Sequence, residues 1–141
     1  MRLYFMLFLE EKKEAALFMA TAIPKAEASP RNENGVLKFY KGNTFQYYIH
    51  LVLKDQDREE IMVNNDTDTL TVKFFNIKND LVKTFEFGKG KELSVSNNIA
   101  EFDFTNEVTA LFDRGRYRYV GDFESPTLGR RTVINAPMLV E

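Results

Sequence analysis

The chain has no cysteine, no tryptophan, one histidine and four prolines in 141 residues. Without cysteine there are no disulfides, thiolate metal sites or cysteine nucleophiles. A domain of this size then depends on packing or on assembly for its stability. A single histidine leaves a histidine-rich zinc site without its other members. His50 therefore reads as a surface or interface side chain. No run of about 20 apolar residues is present to span a membrane as a helix. The net charge is -2, so no overall field draws the chain to nucleic acid. Gly88, Gly90 and Gly115 read as turn glycines, because no strand–glycine-rich loop–helix context surrounds them to cradle a phosphate.

What the chain does have is large aromatic side chains. Thirteen phenylalanines and six tyrosines are enough to fill a substantial core, at roughly 1.5–3 kcal/mol for each fully buried large side chain.

The N-terminus is irregular. An apolar burst over residues 1–9 is broken by Glu10, Glu11, Lys12, Lys13 and Glu14 before apolar character returns over 15–22. That charge cluster interrupts the run a signal peptide needs. One reading is an amphipathic helix or arm docked on the domain or on a neighbour. Another starts from the genetic code. Lys13, Glu14 and Ala15 can be encoded by a string that contains a ribosome-binding site just upstream of Met19. On that reading the natural protein starts at Met19 and residues 1–18 are an over-called start. Residues 20–35 carry Pro24, Pro30 and a polar run ending at Gly35, a composition read as linker or extended arm. The expected organisation is thus an arm over 1–35 and a domain over 36–141.

Within the domain the hydrophobic period is two. A short strand over 36–40 and a turn at Lys41, Gly42 and Asn43 precede the strongest strand, 44–53, in which Phe45, Tyr47, Ile49, Leu51 and Leu53 share a face. Weaker or shorter strands are expected over 61–63 and 93–96. Clearer ones are expected over 70–75, 81–87, 99–104, 116–123 and 130–140. Pro137 cannot donate to a ladder, which places it at an edge or bulge. Over 105–112 the spacing of Val108, Leu111 and Phe112 turns helical, with Thr105 and Asn106 available as caps. No helix is long enough for a parallel crossover. The expected fold is an all-β, immunoglobulin-like antiparallel sandwich of about seven or eight strands.

Candidate chemistry is sparse. Asn64, Asp66 and Asp68 have the opening spacing of a calcium loop, but Thr69 and Phe75 stand where glycine and glutamate are needed. A bare Asx-rich turn fits better. Asn65, Asp66 and Thr67 also form a glycosylation sequon, which carries no weight without a signal peptide. Five of the eight arginines fall between 114 and 131. Arg114, Arg116 and Arg118 alternate with Tyr117 and Tyr119, so they point away from the core. With Arg130 and Arg131 on the next strand they are expected to form a basic contact patch. Tyr40, Tyr48, Phe75 and Val120 are apolar or aromatic side chains expected to face outward, which suggests a sheet face covered by another copy or another protein.

Gly115, Tyr117 and Tyr119 resemble the tyrosine corner of an immunoglobulin sandwich, with Tyr119 where antibody domains carry their second cysteine. The stretch from Phe39 through Lys41, Gly42, Asn43 and Thr44 to Phe45 resembles the opening of the immunoglobulin-like N-terminal domain of phage baseplate upper proteins and of related tail modules. The later alternating runs fit the same plan. Two departures are Asn43 where aspartate is usual and a chain that ends soon after the domain, where a baseplate upper protein continues.

The resemblance implies a non-enzymatic structural module of a phage tail, baseplate or tail-like particle. Its location would be the virion tail, after synthesis in the host cytoplasm. Its partners would be other tail proteins or copies of itself in an oligomer, with no cofactor, nucleic acid or membrane. Arg114, Arg116, Arg118, Arg130 and Arg131, with Tyr40 and Tyr48, are the expected contact residues. The alternative is a carbohydrate- or cell-surface-binding sandwich, for which Tyr40 and Tyr48 are the visible aromatic candidates.

Overall fold

A computed structural model of the chain describes residues 19–25, 31–33 and 35–141. The expectations for residues 1–18 lie outside the described residues. Nine strands and one helical turn are described: β1 (Met19–Lys25), β2 (Arg31–Glu33), β3 (Val36–Phe39), β4 (Phe45–Lys54), β5 (Thr69–Asn76), β6 (Leu81–Gly88), β7 (Ile99–Phe104), α1 (Asn106–Thr109), β8 (Gly115–Ser125) and β9 (Gly129–Val140). They form two sheets, a smaller one in the order β1-β4-β7 and a larger one in the order β2-β3-β9-β8-β5-β6. The fold is an all-β sandwich. Its strand neighbours follow the immunoglobulin plan: β4 and β7 pair in one sheet, while β5, β8 and β9 lie side by side in the other.

Alternation builds the core. Tyr47, Ile49, Leu51 and Leu53 of β4 are all buried and face Leu70, Val72 and Phe74 of β5, Phe102 and Phe104 of β7, and Tyr119 and Phe123 of β8. Its centre is aromatic. Phe74 stacks on Tyr119 with centroids 5.2 Å apart and meets Phe85, Phe104 and Phe112 edge-on. The Tyr47 and Tyr119 hydroxyls lie 2.8 Å apart across the two sheets. These residues sit on the strands that an antibody domain joins with its inter-sheet disulfide, so a hydrogen bond between phenols occupies the place of that bond.

The Tyr117 hydroxyl donates to the Asp113 carbonyl at 2.8 Å. Lys41 adds a donor to the Phe112 carbonyl at 2.9 Å and tethers the β3–β4 turn to the same corner. Thr105 caps α1 by accepting from the Val108 N–H. Tyr117→Phe is expected to cost about 1 kcal/mol, the usual net worth of one hydrogen bond, measured by urea unfolding. An unchanged midpoint would mean the corner adds nothing to stability.

Burial raises the Tyr119 hydroxyl above the ordinary tyrosine range, and its bond to Tyr47 offsets this in part. Tyr117 is raised as well, mainly by burial. As pH rises past the unfolded value of about 10, the unfolded chain loses these protons first. Stability from this source is therefore complete below about pH 10 and declines above it. Tyr119→Phe should flatten that alkaline decline in urea midpoints taken from neutral pH upward. An equally steep decline in the variant would assign it to other groups.

Several sequence expectations are corrected. Residues 19–25, expected within an arm, form a strand antiparallel to β4, from Met19 against Lys54 to Lys25 against Tyr48. Residues 31–33 pair with β3. The sheets therefore include described residues upstream of residue 36. Among the described residues β1 is an edge strand, a place where a proline such as Pro24 is tolerated. One strand pair is parallel: β9 runs alongside β3, with Met138 against Leu37 and Val140 against Phe39.

Residues 61–63 form no ladder, because the buried Asn98 side chain takes their backbone groups. It donates to the Ile61 carbonyl and accepts from the Val63 N–H, both at 2.8 Å. Residues 93–96 make only isolated bridges. In the loop at 64–68, Asn64 Oδ1 accepts from the Asp66 N–H and Asp68 from the Asn64 N–H, an Asx-turn arrangement closed on itself. Asn65 is tied by its amide to the Val95 backbone in both directions.

Candidate interaction face

The outer face of the large sheet gathers the side chains best suited to contact. Its layout follows from register. On β8, Arg116, Arg118, Val120, Asp122 and Glu124 point outward, opposite the inward Tyr119 and Phe123. Across β5 they are matched by Phe75 beside Arg118, Lys73 beside Val120 and Thr71 beside Asp122. Across β9 they are matched by Leu139 beside Arg116, Pro137 beside Arg118 and Asn135 beside Val120.

A β-bulge fixes the β9 side of this layout. The register against β8 shifts between Thr132 and Ile134. One extra residue there exchanges the two faces of the strand beyond it. Met138 and Val140 are thereby buried, and Pro137 and Leu139 come to the outer surface.

The Arg118 guanidinium lies over the Phe75 ring, 4.8 Å from its centroid, and donates to the Asn79 side chain at 3.3 Å. The arginine is thereby held over the aromatic face with its charge retained. Beside it a shallow hollow of ≈330 Å³ opens between β3, β9 and β8, with Val36, Pro137 and Leu139 along it and Lys38 and Arg116 at its rim.

The expected contact residues are divided by this geometry. Arg116 and Arg118 share the outer face, and Arg114 lies exposed just before β8. Arg130 is at the opposite end of the same face, against Glu124 in register, and pairs with Asp122 at 3.4 Å. Arg131 sits opposite the inward-facing Phe123 and belongs to the other face of its strand. The five arginines do not form one patch.

Tyr40 is exposed in the turn after β3, and Tyr48 lies on the outer face of the small sheet, bonded to Gln46. His50 is on that same small-sheet face, between Ile23 and Ile99 in register. Phe75 and Val120 do lie on the large outer face. Sequence reading missed Lys38, Lys73, Val36, Pro137 and Leu139. All five were legible as strand residues, but which face they share depends on the parallel pair and the bulge.

No protein-family model matches the sequence, and no curated protein matches it.

Proposed function

We propose that this chain is a non-enzymatic assembly module of a phage tail, baseplate or related tail-like particle, acting through protein–protein contacts. What carries the reading is the outer face of the large sheet, where an apolar hollow and a fixed Arg118–Phe75 platform lie beside the cations Lys38, Arg116 and Lys73. Arginine and aromatic side chains grouped around a small apolar centre are the composition of a contact surface. Supporting it are the resemblance of the 39–45 turn and of the tyrosine corner to tail modules, and the cysteine-free sandwich, whose stability comes from aromatic packing.

The test is particle incorporation. Particles are purified from cells making the protein from its native gene, and the charge reversals Arg114→Glu, Arg116→Glu and Arg118→Glu are introduced together. Expected is incorporation of the native chain, at least tenfold less of the variant, and an unfolded fraction unchanged in circular dichroism. A native chain absent from particles, or glycan binding as its sole interaction, would overturn the reading.

A further inference from the structure

Among the described residues the two sheets leave four edge strands, β1 and β7 in the small sheet and β2 and β6 in the large one. An edge strand carries unpaired backbone groups, and proteins blunt it by a few recurrent devices. β1 contains Pro24, and β2 is three residues long. β6 is blunted twice. An extra residue, Val82, bends it where its register against β5 shifts, and Lys83 stands opposite the inward Phe74, its amine 5.1 Å from the centre of the Phe85 ring. β7 has no proline, bulge or inward charge, and its register against β4 is unbroken from Ile99 to Phe104. What guards it is a pair of outward carboxylates, Glu101 and Asp103.

Which backbone groups of β7 are free follows from the bonds at its start. The Asn98 carbonyl accepts from the Leu51 N–H of β4 at 2.7 Å, while Ile99 exchanges both of its backbone bonds with Ser96 on the opposite side. Backbone direction alternates along an antiparallel strand. Ala100, Phe102 and Phe104 therefore turn to β4, and Glu101 and Asp103 turn to the open edge. No described residue bonds the N–H or the carbonyl of either. Both carboxylates accept from one neutral donor, the Gln46 amide, at 2.9 and 3.2 Å, and no described cation pairs with them. In the small sheet the nearest cation in register, Lys25, is two strands away against Tyr48. Beside the edge a cleft of ≈490 Å³ separates β7 from β6, with Asp103 on one wall and Phe85 and Glu86 on the other. Of its two lysines, Lys83 lies over Phe85 and Lys91 pairs with Glu86.

We infer that the β7 edge takes a short strand from another protein, one with lysine or arginine at every second position. Glu101 and Asp103 each offer an N–H and a carbonyl in the alternation that an added strand uses. A helix pairs its backbone within itself and leaves these groups bare. An added strand lies about 4.8 Å from β7, and its side chains opposite Glu101 and Asp103 share their face. Cations at those positions meet the two carboxylates directly. A second copy adding through its own β7 would set carboxylate against carboxylate, which is unfavourable. The guest's alternate side chains turn into the cleft beside Phe85, which has room for small or β-branched residues. This edge belongs to the other sheet from the face behind the assembly reading, and its occupancy stands or fails separately.

The experiment uses the full chain and a display library of random peptides about ten residues long, enough for one strand. Selected peptides should alternate lysine or arginine with small or β-branched residues. By amide NMR, the Glu101 and Asp103 N–H groups should exchange rapidly with solvent in the chain alone and at least tenfold more slowly with peptide bound. Glu101→Lys with Asp103→Lys should weaken the selected peptides at least tenfold and should itself select alternating acidic peptides. Glu101→Gln with Asp103→Asn keeps the shapes and should weaken them as well. Both side chains are exposed, so the unfolding temperature should not move.

Selection of helical, neutral or acidic peptides by the native chain overturns the added strand, as does binding indifferent to the charge changes. Basic peptides that bind while both amides go on exchanging overturn it too, since that is attraction to a charged surface with no strand added. So do amides already protected in the chain alone. A second copy or the chain's own N-terminal residues then hold the edge, and dilution, which releases only the former, tells them apart.

Discussion

Gly88→Ala should destabilise the protein by about 3 kcal/mol, a fall of roughly 10 °C in unfolding temperature for a chain of this size. Gly88 closes β6 with φ +104, a backbone state that residues with a Cβ rarely adopt. A Cβ built there would lie 2.1 Å from the Asp68 carbonyl oxygen, which is backbone and cannot swing aside. That oxygen also accepts from the Lys89 N–H at 3.0 Å, so relieving the clash breaks a buried hydrogen bond at the start of β5. Gly90 in the same turn supplies the comparison. Its φ is +72 with open space around the Cβ position. Gly90→Ala should therefore cost only the conformational penalty of about 1–2 kcal/mol. Equal losses in the two variants, measured by thermal and urea unfolding, would show that the contact with Asp68 is not what requires glycine at 88.

Phe74→Ala should cost more, about 3–5 kcal/mol. That is a large share of the 5–15 kcal/mol typical of a domain, roughly. Phe74 is 1% exposed and, like Phe39 and Phe104, touches both sheets and the loop after α1. It stacks on Tyr119 in its own sheet, meets Phe104 of the facing sheet at 5.8 Å, and meets Phe112 at 5.7 Å. Removing it opens a void among rings anchored on four separate elements, which cannot collapse together to refill it. Phe74→Leu keeps most of the volume and should lose much less. The measurement is the urea midpoint with an unchanged slope, because the variant should still unfold in one step. A loss under about 1 kcal/mol would mean that the aromatic cluster is loosely packed and does not hold the sheets together.

The two substitutions probe different ways in which sequence is read out. Phe74 was visible from its place in an alternating run with Leu70 and Val72, since burial on a two-residue period is a local property of a strand. Gly88 was visible as a turn glycine. Its necessity was not, because the atom it must avoid belongs to a residue twenty positions earlier that is brought alongside by the β5–β6 pairing.

The candidate face divides along the same line. Arg116, Arg118, Phe75 and Val120 were placed outward by alternation on single strands. The expected union of Arg114, Arg116 and Arg118 with Arg130 and Arg131 failed on register. Arg130 lies at the far end of the face, paired to Asp122, and Arg131 falls on the other side of β9. Alternation alone would have put Pro137 and Leu139 on the core side of a strand that opens with Arg130 outward. The single extra residue between Thr132 and Ile134 reverses them, and no local feature of the Thr132–Val133–Ile134 stretch announces it.

The N-terminal strands were missed for a related reason. Met19–Lys25 contains a proline and small residues and has weak periodicity of its own, so its extended form comes from pairing along the open edge of β4.

By itself, then, the sequence determined what is local: the all-β class, the inward faces of β4, β5 and β8, the helical turn at Asn106–Thr109, and a tyrosine four residues beyond the carbonyl it bonds. Each of these depends on a hydrophobic period, a cap or a contact only a few residues long. The tertiary structure alone decided the rest. It set the β9 bulge, the parallel β3–β9 closure, the Tyr47–Tyr119 bond across the sheets, and the meeting of Phe75, Arg118 and Pro137 on the outer face. These join positions up to about a hundred residues apart, and strand register, which no single segment encodes, sets which of them meet.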